Sequence, residues 1–311
     1  MLTNPDIADD VIVPAAIGTS LPEGGEAGAS GSLLRLVFEV FIQNKLAVVG
    51  VGVVIFMVLF CFVGPLIYHT DQVHVNLNQT TVAPNLHHLL GTDNVGYDEM
   101  GRLMLGGQTS LEVGLAAALL ATTFGVLYGA VAAFLGGWMD NFMMRIVDAF
   151  LAIPSLFLLL FLATIFVPSV PLLIIVIAFI AWLVPARLIR GESLSLRTRE
   201  YVQAVRVMGG GSRRIILRHI IPNAFGTIVV NATFQVADAI LLVAYLSYLG
   251  LGIPPPAANW GQMLSDGVNY TFAGYWWLIW PVGALIVLTV VAFNFIGDAM
   301  RDALEVRLQR R

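Results

Sequence analysis

The densest chemistry in this sequence lies between Arg187 and Arg218, where eight arginines alternate with short apolar stripes. Glu200–Met208 has the period of a short helix, with Tyr201, Ala204, Val205 and Met208 along one stripe. Gly209, Gly210 and Gly211 break it. Ser212 is placed to cap a second helix that carries Ile215, Ile216, His219 and Ile220 and stops near Pro222. This is chemistry for binding. Two short amphipathic helices set at an angle, too short to be stable alone, form a docking knob for a cytoplasmic protein or a basic loop on anionic lipid. On residue types alone both readings stand.

A second constellation is Thr227, Asn231, Gln235 and Asp238, which recur on one helical face inside an apolar segment. Polar groups at membrane depth line a pathway for a polar substrate or tie helices together; Asn231, Gln235 and Asp238 are the pathway candidates. His69, His74, His87 and His88 cluster in one polar stretch. Imidazoles suit nickel or zinc, but the spacing matches no helical or turn-based chelate and no metal ligand is assigned. Catalytic residues are assigned nowhere, because no nucleophile–base–acid set is visible. A phosphate-cradling loop needs a Gly-rich turn ending in Lys-Ser/Thr, and the single lysine, Lys45, sits in Ile-Gln-Asn-Lys-Leu-Ala. ATP binding by that motif is excluded, and the chain is not expected to be an enzyme.

The elements that must position these groups are membrane helices. Hydrophobic residues make up 58% of the 311 and charged residues 12%, about half the charge of a soluble domain. A bilayer core of about 30 Å needs about 20 apolar residues. Six stretches qualify: 46–68, 111–135, 142–167, 172–189, 225–249 and 276–296. The fold class is therefore all-α, with six transmembrane helices. Fifteen of the sixteen basic residues then fall on one side and only Arg102 on the other. The positive-inside rule makes the first side cytoplasmic, with both termini there. The domain reading is a disordered cytoplasmic tail and lead-in over 1–45, acidic at its start, and a six-helix transmembrane domain over 46–297. External loops occupy 69–109 and 250–275, a long cytoplasmic loop 191–222, and a cytoplasmic tail 298–311. Trp260, Tyr270, Tyr275, Trp276 and Trp277 read as an outer interfacial belt. Cys61 reads as a packed residue in a span, and Asp148 as the partner of Arg145 three residues before it. A net charge of −4 gives no sign of a nucleic-acid partner.

The string Glu200–Ala224 resembles the Glu-Ala-Ala loop of ABC-importer permeases. The triplet falls on Gln203, Ala204 and Val205, the hinge glycine on Gly209, and the closing proline is Pro222. Gln203 stands where that family usually has Glu, and Val205 where it has Ala. Further segments resemble the C-type permease subunit of dipeptide, oligopeptide and nickel importers: Leu90–Gly114, Gly136–Leu156, Leu246–Leu264 and Phe293–Arg307. Departures include Tyr97 for the usual Arg, Gly101 for Ser and Gln108 for Arg.

The resemblance implies a type I ABC-importer permease fold in a cytoplasmic membrane. It also implies a second, non-identical permease subunit, two ATPase subunits carrying ATP and Mg, and an external binding protein. Glu200, Tyr201, Gln203, Ala204, Arg206, Gly209 and Pro222 would couple to the ATPase. The expected cargo is short peptides, with nickel or a nickel chelate as the alternative. A self-contained secondary transporter or channel is the rival from another class. It would require an intramembrane carboxylate such as Asp238 and no ATPase.

Overall fold

The structure, a computed structural model, describes residues 38–309, with side chains described as far as Leu304. The acidic start of the expected N-terminal tail lies outside the described residues.

Helix α1, Lys45–Ile67, starts at Asn44, whose side chain accepts hydrogen bonds from the Leu46 and Ala47 amides. That satisfies two of the donors a helix start leaves open. A wider turn over Leu59–Val63 interrupts its regular ladder. Helix α2, Glu99–Leu135, is the central element. It begins twelve residues before the expected span, because Asp98 caps it by accepting from the Gly101 amide. At about 1.5 Å per residue its 37 residues run roughly 55 Å, far longer than a bilayer core, so its first turns extend into the layer expected to be external.

Helices α3, Gly137–Leu151, and α4, Ser155–Ile165, meet at 82°. The sequence suggested one continuous span here. Pro154 breaks it, since proline has no amide to donate and turns the preceding residue away from helical geometry. Helices α5, Val170–Ala181, and α6, Leu183–Arg197, bend by 42°. Pro185 cannot donate to the Ala181 carbonyl four residues back, and the Gln235 side-chain amide donates to that oxygen instead at 2.7 Å. Helix α6 runs on to Arg197, so the first residues of the expected loop over 191–222 are helical.

Two short elements follow: α7, Glu200–Val207, and α8, which starts as Ser212–Ile215, widens over Ile216–Ile220 and ends as Ile221–Asn223. Helix α9, Phe225–Leu246, is extended by a wider turn to Leu251. A short helix α10, Trp260–Val268, precedes α11, Trp280–Gln309. Among the described residues four helices are long and apolar enough to cross a membrane, and counting each bent pair as one span gives six, the expected number.

The core forms where α5, α6 and α9 close on α2. Small residues make this possible: a methyl group at Gly125 or Gly129 would collide with the backbone of α6 at Trp182 or Ala186. Without a water-driven force between helices in lipid, such close backbone approach supplies much of the attraction. Away from this seam, Leu119, Phe157 and Phe161 stay exposed, as expected of surface that faces lipid or another membrane subunit.

Candidate functional site

The elbow formed by α7 and α8 has two faces of opposite character. Its inner face is apolar and buried. Val202, Ile215, Ile216 and Ile220 pack with Val126, Ala130 and Phe134 of α2 and Ile189 of α6. Full burial of such a side chain stabilises by roughly 1.5–3 kcal/mol, so the elbow is fixed to the end of the central seam away from α10. The outer face carries Tyr201, Gln203, Ala204, Arg206, Val207 and Met208, all exposed. Val207 is 87% and Met208 78% exposed. The expected stripe is therefore corrected at one position. Val205 packs inward against the buried cluster, and Val207 takes its place outside. A helix of two turns gives its period too few repeats to fix which face is buried.

Glu200 opens α7 and is exposed; a carboxylate there complements the positive end of the helix. Gln203, at the position where the resembled family usually has Glu, donates from its side-chain amide to the Arg197 carbonyl at the end of α6, 3.1 Å. A carboxylate could not donate that bond, so the departure has a structural use. The Arg206 guanidinium lies 5.8 Å from the centre of the Phe134 ring. Gly209 takes φ +80°, which a side chain would strain, and this turns the chain between the two short helices. Gly211, not Ser212, is the cap residue of α8. Pro222 does not stop the run; it sits inside the turn Ile221–Asn223, two residues before Ala224 leads into α9.

The arginines divide by role. Arg190 makes a two-pronged pair with Asp140, 2.7 Å at each contact, and Arg197 donates to the Ala133 carbonyl at 2.9 Å. Asp148 pairs with Arg187, 39 residues away, rather than with Arg145. Packing of α3 on α6 overrides the local spacing. Arg199, Arg213, Arg214 and Arg218 are exposed. The last three line a shallow groove with Gly211 and Leu217 beside the apolar face.

The polar stripe of α9 is split by the structure. Gln235 is buried and committed to the Ala181 carbonyl, which makes it an interhelical tie. Asp238 is exposed on the surface of this chain. Asn231 borders a cavity at the opposite end of the helix from the external layer.

That external layer is tightly bonded. Asp98 is buried; besides capping α2 it accepts from the Tyr68 hydroxyl at 2.9 Å and lies 2.9 Å from the His88 ring nitrogen. Arg102 donates to the Pro256 carbonyl at 3.0 Å, lies 3.9 Å from Asp93 and covers the Tyr97 ring at 4.3 Å. Tyr97 thus gives Arg102 an aromatic face. Gln108, also a departure from the family pattern, donates to the Cys61 carbonyl, which the wider turn in α1 exposes. Burial pushes the Asp93 and Asp266 carboxyls above their usual range, while backbone and His74 hydrogen bonds hold exposed Asp71 down at about 2.

Trp260 and Trp277 do not lie in an outer belt. They are buried and donate to the Leu103 and Thr92 carbonyls, tying the segment between α9 and α11 to the start of α2 and the residues before it. His69, His74, His87 and His88 do line one groove. Among the described residues no three His, Cys, Asp or Glu side chains are arranged to hold a metal ion.

Comparisons with known proteins bear on both faces. The family described as "Binding-protein-dependent transport system inner membrane component" matches residues 125–310, and "N-terminal TM domain of oligopeptide transport permease C" matches residues 32–86. The chain is 40% identical to an oligopeptide transport system permease protein of Haemophilus influenzae, over 85% of this chain and 86% of that one. It is 38% identical to the oligopeptide permease of Bacillus subtilis, over 87% and 88%. It is 36% identical to the dipeptide transport system permease of the same organism, over 86% and 84%. Among solved structures, an inward-facing methionine ABC transporter chain is similar, with a TM-score of 0.54 and 21% identity. That match covers 65% of this chain and 96% of the other. The likeness extends the agreement to the fold.

Proposed function

We propose, from the premise that this chain belongs to the family of binding-protein-dependent transport inner membrane components, that it is one of two permease halves of an ATP-driven peptide importer. Its relatives over more than four-fifths of the chain are oligopeptide and dipeptide permeases, and this supports short peptides as cargo. ATP and Mg bind on partner ATPase subunits, and this chain only couples to them. Both termini and the elbow face the cytoplasm, as the distribution of basic residues supports.

The observation that carries the reading is the two-faced elbow. One side is glued to the seam of α2 and α6, and the other offers Tyr201, Ala204, Val207 and Met208 among exposed arginines. An apolar face with a basic rim fits a groove with acidic edges on an ATPase. Movement of that groove is passed through buried contacts straight to the spans, with Gly209 and Pro222 at the corners. Asp238 is an exposed carboxylate on a membrane helix. Such a group is costly in lipid, so it faces the second permease subunit or the pathway between the halves. An external binding protein delivers peptide to the opposite, rigid end.

The test is co-purification of the ATPase with the tagged chain from membranes. Met208→Glu puts a charge into the docking face and is expected to lose the ATPase while the permease pair stays assembled. Phe272→Glu, at a fully exposed external position, is expected to retain it. Retention by both variants would remove the elbow from the docking surface.

A further inference from the structure

Helix α8 presents two faces. Ile215, Ile216 and Ile220 are buried in the cluster that holds Val126, Ala130 and Phe134 of α2. Those α2 residues belong to a helix long and apolar enough to cross a membrane, so α8 lies alongside the last turns of a span. The other face carries Arg213, Arg214 and Arg218, which line one groove with Gly211 and Leu217. All three arginines are exposed, and among the described residues none of them has an ion-pair partner. Arg187 and Arg190 of α6 differ, because Asp148 and Asp140 neutralise them. Such a concentration of one charge on one face calls for an anion.

The position of the groove says which anion. Helix α9 begins at Phe225, and at about 1.5 Å per residue Arg218 lies roughly 10 Å before it along the chain. The headgroup layer is about 5–8 Å deep on each side of a bilayer core, and long basic side chains extend to reach it. Leu217, among the arginines, and Phe225, at the start of the span, are exposed as well. A phosphate that carries acyl chains suits both features. Its oxygens accept from the guanidinium forks, and its chains cover Leu217 and Phe225. Inorganic phosphate or a nucleotide offers the same anion without the apolar part. A zwitterionic headgroup brings its own ammonium into the groove, where the arginines repel it. We infer that this groove binds the headgroup of an anionic phospholipid, its phosphate held by Arg213, Arg214 and Arg218. The apolar face of α7, with Arg199 and Arg206, remains the surface for the ATPase. The elbow thus rests on lipid with one helix and on protein with the other. The inference needs only that the chain spans a membrane, and it stands or falls apart from the importer reading.

The experiment is native mass spectrometry of the full chain, purified with its accompanying subunits in a neutral detergent. It is titrated with phosphatidylglycerol or with phosphatidylcholine, each with and without excess inorganic phosphate. Phosphatidylglycerol is expected to bind ahead of phosphatidylcholine by about fivefold for each arginine engaged. Arg213→Gln, Arg214→Gln and Arg218→Gln together should remove that preference. Leu217→Glu, at an exposed position, sets a carboxylate among the three arginines and should remove it while the chain stays folded. Arg199→Gln with Arg206→Gln, on α7, should leave it unchanged. A preference that survives in both α8 variants would overturn the site. An equal loss in the α7 variant would overturn it too, by reducing the preference to net charge. Displacement of the lipid by inorganic phosphate would make the groove a site for free phosphate instead. Loss of the ATPase from the α8 variants with lipid binding intact would give the groove to the ATPase.

Discussion

The two ends of this molecule are built by different means. At the end around α10, side chains span long sequence distances with directional bonds: Trp277 to Thr92, Arg102 to Pro256, Trp260 to Leu103, and Asp98 to Tyr68 and His88. At the opposite end, the elbow is held to α2 and α6 mainly by apolar contact, and Tyr201, Ala204, Val207 and Met208 on its outer face stay exposed. Directional bonds that are buried are expensive to break and fix one geometry. Apolar contact fixes position with less demand on angle. The difference suits the proposed roles: the end around α10 is a frame, and the elbow is the part that, under the importer proposal, would receive force from outside the chain.

Breaking the frame should cost most. Arg102→Ala removes a buried guanidinium with three partners and leaves Asp93 without its cation. It is expected to destabilise by about 4 kcal/mol, read as a fall in melting temperature of the purified chain in detergent. Ile215→Ala tests the inner face of the elbow. Ile215 is fully buried, and about 3 kcal/mol is expected from lost burial and the cavity left behind. A cost below about 0.5 kcal/mol, the size of an ordinary surface change, would mean the elbow is not fixed to the seam. Gly209→Ala should cost about 1 kcal/mol through its positive φ and lower transport by more than it lowers stability.

The smallest effect is a dependence on pH in the frame. Burial raises the Asp266 carboxyl above its ordinary value. Its support for the fold is therefore full below the unfolded pKa and is lost as pH rises through the folded one. Asp266→Asn should remove that dependence, so the variant gains on wild type as pH rises above about 4, the ordinary carboxyl value. A wild type that gains instead would show that Gln262, which donates to this carboxylate at 3.0 Å, holds it charged.

Much of this was legible in the sequence, and the misses share a cause. The number of spans followed from apolar length, and the elbow from its glycines and short periodic runs. The residues of α2 before Leu111 were read as loop because Glu99 and Arg102 are charged, yet both are buried in the external frame. Asp148 was assigned to a neighbour on its own helix, whereas its partner comes from α6. Gln235 was placed with Asp238, although the bend at Pro185 creates a bare carbonyl that claims it. Each miss is a polar group whose partner lies far away in the chain. Local spacing cannot see such partners.

Labelling of a single introduced cysteine tests the assigned roles most directly. The native Cys61 is fully buried, so Met208→Cys presents an accessible thiol at the elbow. The account predicts that a membrane-impermeant maleimide labels it in inverted vesicles only after the ATPase has been stripped, and never from outside intact cells. Labelling from outside, or equal labelling with the ATPase present, would contradict the docking role of the elbow.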